Sequence, residues 1–390
     1  MHAVGGTRPI AARRRWSING RFLTQPVTGV QRYGREIVRA LDGLLAAGHP
    51  LARDLELELL VPPGADALPE LAAIPVRQVG RRGGQLWEQI ELPFHARGAV
   101  LSLCNTGALA RGRQIVCMHD TSVWDYPASY SRPFRLLYRT LLPALGRRAA
   151  AITTVSHYSA GRLAARGIAP AGKITVMPDG HEHALAWRPA PGFSTPMPAE
   201  NLAVVIGSLA AHKNLDLVLR LAALIEGTGI RIAVVGAVDT AVFSRTTLAA
   251  PDHVLWLGRL SDDELAALLE RAFCLLFPSF AEGFGLPLLE AMARGCPVVS
   301  SDRASMPEIG GEAVLYAPPT APEAWRAALL RLRADPRLRE KLIAAGRARA
   351  ARYSWQGSAA GYLALMARLD AVWNPRLTAA ARMAGAPAAE

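Results

Sequence analysis

The sequence predicts an α/β protein made of two Rossmann-like domains, each built on a parallel sheet. Two observations carry this. Each half of the 390-residue chain alternates short apolar runs with segments of helical periodicity, the rhythm of parallel α/β units. Between the halves lies WRPAPGFSTPMPAEN (187–201), rich in proline and polar residues, after which the pattern restarts at LAVVIGS (202–208). A domain over 1–198 and a second over 199–355 are therefore expected, followed by an amphipathic helix at 356–373 and a frayed end at 374–390.

In the first half the apolar runs place strands near 57–61, 99–103, 114–118, 150–155 and 174–177, with helices over 29–47, 132–148 and 157–166. Gly29 falls at the turn that opens the first helix, and Ser156 is a natural N-cap for the helix after it. The 132–148 helix aligns Arg132, Arg135 and Arg139 on one face and Phe134, Leu137 and Leu141 toward another. In the second half, strands are expected near 202–208, 231–235, 254–257, 273–277 and 297–300. Helices are expected at 214–226, 262–271, 286–294, 323–333 and 336–351.

Charge is uneven. The net charge is +12; residues 1–200 carry 24 basic against 14 acidic side chains (+10), and residues 201–390 carry 20 against 18 (+2). Residues 126–178 hold eight basic residues and no acidic one, a pattern that attracts phosphates, whether of nucleic acid, lipid headgroups or a diphosphate acceptor. Nucleic-acid binding has only this charge in its favour, because no aromatic stacking motif or recognition helix accompanies it. No apolar run reaches the length of a membrane span, and the basic start lacks the apolar stretch of a secretory signal. Cys104, Cys117, Cys274 and Cys296 are scattered without a CxxC pair and read as buried thiols in a reducing compartment. His181-Glu182-His183 lacks the further ligands of a metal site, and no Asp-x-Asp occurs, so no metal is expected.

The most informative stretch is SFAEGFGLPLLEAMARGCPVVSSDRASMPEIGGE (279–312). Glu282 and Glu290 flank a turn, Gly283-Phe284-Gly285-Leu286-Pro287, that opens a helix. A glycine-rich turn leaves amides bare, a helix start adds partial positive charge, and Pro287 fits the first helical turn. Carboxylates accept paired sugar hydroxyls through charge-assisted bonds. A ligand with hydroxyls at both ends and an anionic middle fits this layout, and a nucleotide-sugar has that form. Lys213, behind a strand and Gly207 and at a helix start, is placed to grip a pyrophosphate; His212 precedes it. These motifs sit at the carboxyl ends of expected strands, where open parallel sheets bind ligands, which argues for one cleft shared by the two domains.

This stretch resembles the signature of retaining glycosyltransferases of family 4, which have the GT-B fold. The resemblance implies that Glu282 contacts donor-sugar hydroxyls, that Glu290 holds the ribose, and that the amides around Gly283, Phe284, Gly285 and Leu286 face the donor. It implies that His119, at a strand end with Asp120 to orient its ring, points toward the sugar, and that Ser156 lies at the cleft floor. The loop at Gly29 is implied to approach the donor phosphate. Gly258, Arg259 and Leu260 resemble the family's base-binding strand end. The 356–373 helix is implied to cross back onto the first domain. GVQRYGREI, LWEQIELP, LCNTGAL and MHD look most like bacterial mannosyltransferases of surface polysaccharide assembly. The reaction so implied is metal-independent. It moves a hexose, mannose from GDP-mannose first and a UDP-hexose second, to a lipid-linked or soluble glycan. The place implied is the cytoplasmic face of the membrane. The residues themselves let the face of Arg132, Arg135 and Arg139 lie on an anionic surface or belong to an ordinary amphipathic helix over the sheet, the acid-free stretch favouring the former. A catalytically silent nucleotide-sugar or membrane binder is the rival from another class.

Overall fold

The structure, a computed structural model, describes residues 14–65, 68–190, 201–207, 210–236 and 253–374. Residues 191–200 of the expected linker and 375–390 of the expected tail lie outside the described residues.

Seven strands form one sheet: β1 (Arg14–Asn19), β2 (Leu55–Val61), β3 (Val76–Gln78), β4 (Ala99–Ser102), β5 (Gln114–Cys117), β6 (Ala151–Thr154) and β7 (Ile174–Val176). Their order is β3-β2-β1-β4-β5-β6-β7. A second sheet holds β8 (Leu202–Ile206), β9 (Arg231–Val235), β10 (Val254–Gly258), β11 (Cys274–Phe277), β12 (Val298–Ser301) and β13 (Leu315–Ala317), in the order β10-β9-β8-β11-β12-β13. The ladders β1–β2, β1–β4, β8–β9 and β8–β11 are parallel. Each sheet thus runs outward from its first strand in both directions, which is the doubly wound Rossmann order. The order reverses between β1 and β4 in one sheet and between β8 and β11 in the other.

The chain divides into two compact units. One takes in the described residues of Met1–Met118, Ala144–Ile152 and Gln356–Glu390, the other those of His119–Pro143 and Thr153–Trp355. In the first unit, the Tyr362 hydroxyl on helix Trp355–Trp373 shares a 2.9 Å hydrogen bond with the Tyr33 hydroxyl on helix Gly29–Ala46. Asp370 accepts from the Arg14 guanidinium (2.7 Å) and the Trp16 indole (3.1 Å).

In the second unit, Leu217, Leu221, Ile232, Leu276, Trp325 and Leu329 belong to one buried cluster joining the second sheet to helices Leu215–Leu224 and Pro322–Ala334. The helix ends follow their local chemistry. Ser261 and Glu264 form a reciprocal capping box at Asp262–Arg271, and Asp335 caps Pro336–Ala350 by accepting from the Leu338 amide.

β1, β3 and β13 extend what the apolar runs announce. β1 escapes them because it starts with Arg14-Arg15 and buries Ser17 and Asn19. Those polar atoms are satisfied from inside: the Ser17 hydroxyl donates to Glu58 (2.8 Å), and the Asn19 amide donates to Glu88 (2.7 Å). All four cysteines are free and buried, and burial pushes the Cys296 thiol up to about 12. Among the described residues no helix is long and apolar enough to cross a membrane.

Candidate active site at the second sheet's switch point

The site is built within the second unit, beyond the carboxyl ends of β8 and β11, where an open α/β sheet leaves its binding crevice. β8 leads through Gly207 to the short turn Ala211–Lys213. Asn214 then adopts a left-handed conformation (φ 60°, ψ 47°), which an asparagine tolerates better than most residues. Its buried side-chain amide donates to the carbonyls of Pro278 (3.1 Å) and Pro319 (2.7 Å). Lys213 is thereby held by the residue after it, and its ammonium donates to Glu282 Oε1 at 2.7 Å. The two side chains are 22% and 13% exposed, so the pair is mostly but not fully withdrawn from water. The Lys213 ammonium also lies 5.8 Å from the centre of the Phe277 ring.

From β11 the chain enters the glycine-rich turn, and hydroxyls hold its carbonyls one after another. Ser301 donates to Ser279 O (2.6 Å). Ser305 is shared between Glu282 O (3.0 Å) and Phe284 O (2.8 Å). Ser156 (2.6 Å) and Ser159 (3.0 Å) both donate to Gly283 O. Among the described residues nothing accepts from the amides of Gly283, Phe284 or Gly285. The turn therefore has its oxygens fixed by serines and its N–H groups available, next to the start of helix Leu286–Arg294. Gly285 supplies the N-cap at φ 105° and Pro287 sits in the first turn. Such a turn is suited to an anion or to sugar oxygens.

Gly283 is required for a different reason. A Cβ there would come within 2.6 Å of the His119 carbonyl oxygen and 3.3 Å of Asp120 Cβ. Replacing Gly283 by Ala is expected to push the turn off the His119-Asp120 strand end, lowering stability by about 1–3 kcal/mol, with transfer activity falling alongside. A thermal midpoint and kcat/KM check this; an alanine variant with both unchanged would mean the packing is looser than the geometry.

The remaining site residues fall into place around this turn. His119 is buried, and Asp120 Oδ1 accepts from the Ser122 amide (2.7 Å), closing its own turn. Ser156 caps helix His157–Ala165 by accepting from the Ser159 amide (3.0 Å), so it serves as cap and as clamp on Gly283 together. Glu308 accepts from the amides of His157 (2.8 Å) and Tyr158 (2.9 Å), a carboxylate placed at that helix start. His212 Nδ1 lies 3.1 Å from Ser129 Oγ, and burial holds the imidazole below its ordinary value against the pull of Glu282. It is neutral at pH 7 and supplies no cation of the arginine kind. Gly258 ends β10 at φ 66°, its carbonyl accepting from the Gly236 amide (2.8 Å), with Arg259 exposed beside it. Gly29 starts a helix of the first unit. Arg132, Arg135 and Arg139 lie on helix Arg132–Arg148, with Phe134, Leu136 and Leu137 exposed among them.

Several contributors had no clear signal in the sequence. Gly236 is needed because a Cβ on it would meet the Gly207 carbonyl oxygen at 2.0 Å; the repeated Val-Val-…-Gly at two strand ends could have pointed to it. Tyr130 faces Asp120 and Glu282, and burial, reinforced by those charges, keeps its phenol protonated far above the ordinary value. Ser305 and Ser301 are revealed only by the three-dimensional turn they hold.

Residues 193–349 match the family described as glycosyl transferases group 1. The chain carries a group 1 glycosyltransferase domain. The chain is similar to O-antigen chain mannosyltransferase B of Escherichia coli, 43% identical over 103 residues, which are 26% of this chain and 27% of that protein. It is also similar to the O-antigen chain mannosyltransferase RfbU of Salmonella typhimurium, 27% identical over 244 residues, 62% of this chain and 66% of that one. The matched stretch is thus less than two thirds of either relative's length. Among solved structures, sucrose-phosphate synthase from Thermosynechococcus elongatus superimposes with a TM-score of 0.70 at 20% identity, covering 92% of this chain and 100% of that chain. The fold around the group 1 domain is GT-B.

Proposed function

We propose that this protein is a retaining, metal-independent mannosyltransferase that moves mannose from GDP-mannose to a lipid-linked glycan during bacterial surface-polysaccharide assembly. The observation that carries the reading is the serine-pinned turn beside the Lys213–Glu282 pair: cation, bare amides, helix start and carboxylate converge where a glycosyl diphosphate would fit. The mannosyltransferase names of the two relatives favour the sugar.

In this reading Glu282 takes donor-sugar hydroxyls, Glu290 takes the ribose diol, and Lys213 with the turn amides takes the diphosphate. The bond from the anomeric carbon to the diphosphate oxygen breaks as the acceptor hydroxyl oxygen bonds the same face. The hydroxyl proton passes to the departing phosphate oxygen. Lys213 and the amides stabilise the charge that grows on that oxygen, while His119 lies beside the oxocarbenium-like sugar. Preorganised electrostatics is the main catalytic contribution. Arg132, Arg135 and Arg139, with Phe134, Leu136 and Leu137 between them, suit an anionic lipid surface on which the acceptor is carried.

The test is a panel of GDP-mannose, UDP-glucose, UDP-galactose and GDP-fucose, read by donor hydrolysis and thermal stabilisation, with and without EDTA. GDP-mannose is expected to give the largest response, unaltered by EDTA. A stronger response to a UDP-sugar would move the donor to that class. Stabilisation without any turnover, with or without a polyprenyl-diphosphate glycan, would favour a silent binding protein.

A further inference from the structure

The tripeptide His181-Glu182-His183 is locked in register against Tyr353-Ser354-Trp355, both within the second unit. The Tyr353 carbonyl accepts from the His181 amide (3.2 Å) and lies 2.7 Å from His181 Nδ1. The Glu182 carboxylate accepts from the Ser354 hydroxyl (2.5 Å) and the Trp355 amide (3.0 Å). Gly180 ahead of them admits no side chain, because a Cβ would meet the Trp355 amide nitrogen at 2.1 Å. At the end of this register stands His183. Its Nε2 is 2.9 Å from Glu290 Oε1, and its Nδ1 is 2.9 Å from the Trp355 indole nitrogen.

The proton positions follow from chemistry. An indole nitrogen can only donate, so His183 Nδ1 must present its lone pair to Trp355. The imidazole proton is then on Nε2 and is donated to Glu290. The ring is neutral, and its tautomer is fixed by its far side. The side chains are nearly dry, His183 at 3% and Glu290 at 7% exposed. Trp187 stands edge-on to the imidazole at 5.3 Å between ring centres, and Trp355 lies tilted to it at 5.6 Å. A donor of set direction on one carboxylate oxygen fixes how the whole carboxylate is turned.

We infer that His183, oriented by Trp355, is a positioning residue for Glu290, aiming that carboxylate at a vicinal diol of the bound nucleotide. This rests on the ribose role of Glu290 given above. A histidine supplies what this needs: a donor to Glu290 and an acceptor for the indole on one rigid ring, so that the aim of the acid is set by two side chains far apart in sequence.

The readout is ribose discrimination, which a merely structural histidine would not set. GDP and 2′,3′-dideoxy-GDP are titrated calorimetrically against the full-length parent, His183→Phe, Trp355→Phe and Glu290→Gln. The parent is expected to bind GDP about 10–100-fold more tightly than the dideoxy analogue, the value of charge-assisted hydrogen bonds to a diol. His183→Phe is expected to bring that ratio to within about threefold, and Trp355→Phe to an intermediate value. In turnover, the donor KM rises several-fold while kcat changes less. If Glu290→Gln collapses the ratio but His183→Phe and Trp355→Phe keep the parent's, the positioning role is overturned. If Glu290→Gln itself keeps the parent's ratio, the ribose reading fails first. Should His183→Phe not fold, Trp355→Phe alone decides, with an unchanged ratio counting against the proposal.

Discussion

Replacing Lys213 by methionine is expected to lower kcat/KM by ~100–1000-fold, with most of the loss in kcat. The argument starts from the ion pair. The Lys213 ammonium spends one of its three donors on Glu282 at 2.7 Å. Two donors remain for a diphosphate, and the Asn214 clamp on Pro278 and Pro319 keeps the turn from following the ligand. A charge held in place before the reaction costs no reorganisation when the leaving oxygen becomes anionic, which is why its removal falls on kcat. Methionine keeps the length of the side chain and removes the charge, but it also strands Glu282, a carboxylate only 13% exposed. That stranded acid costs stability in its own right. Glu282→Gln separates the two effects. It is expected to lose donor-sugar contacts and activity by a smaller factor, and combining it with Lys213→Met should restore part of the denaturation midpoint lost in Lys213→Met alone. Initial rates and urea midpoints on the four proteins of this cycle measure both. A Lys213→Met enzyme within about fivefold of the parent would take the ammonium out of the mechanism.

The parts of the molecule legible in the sequence are those whose cause is local. Helix Leu286–Arg294 was expected at the same residues because the glycine-rich turn and Pro287 mark its start by backbone preference, and in the structure Gly295 closes its other end the same way. Asp262–Arg271 also matches its expected range, and its start is closed locally by Ser261 and Glu264. Strands were legible where both faces are apolar, as in β8 and β11. They were hidden where a buried polar residue is satisfied from another element, as Ser17 and Asn19 of β1 are by Glu58 and Glu88. The site divides along the same line. Glu282, Glu290 and Lys213 announce themselves by charge at a turn. Ser305, Tyr130 and Gly236 do not, because what they do is hold or face chain segments distant in sequence. His183 was visible as a histidine, but beside His181 it suggested a weak metal motif, and its bonds to Glu290 and Trp355 span more than a hundred residues.

Asp179 is the acid whose replacement should change stability most, and in the unusual direction. It follows β7 in the run Met177-Pro178-Asp179-Gly180 and is 4% exposed, with Oδ1 lacking a hydrogen-bond partner among the described residues. Burial pushes its carboxyl up to about 7 from an ordinary 3.8, Glu290 adds to the push, and His119 opposes it. The folded state therefore binds the proton more tightly than the unfolded chain. The stability tied to this group is present in full below about pH 4 and is lost as pH rises through about 7. The difference amounts to roughly 4 kcal/mol once both states are ionised. Asp179→Asn imitates the protonated acid and removes the liability. It is expected to match the parent at about pH 4 and to exceed it at about pH 8 by up to roughly 4 kcal/mol, measured as urea unfolding at the two pH values. A variant less stable than the parent at pH 8 would mean that the ionised carboxylate has a stabilising partner after all. The location gives the cost a meaning. An acid that weakens the fold at neutral pH is coupled electrostatically to the imidazole of His119 and the carboxylate of Glu290, so a change of its charge is felt by both. Asp179→Asn should accordingly gain stability while losing transfer activity, and the pH dependence of kcat near 7 should flatten with it, since the group that titrates there is gone.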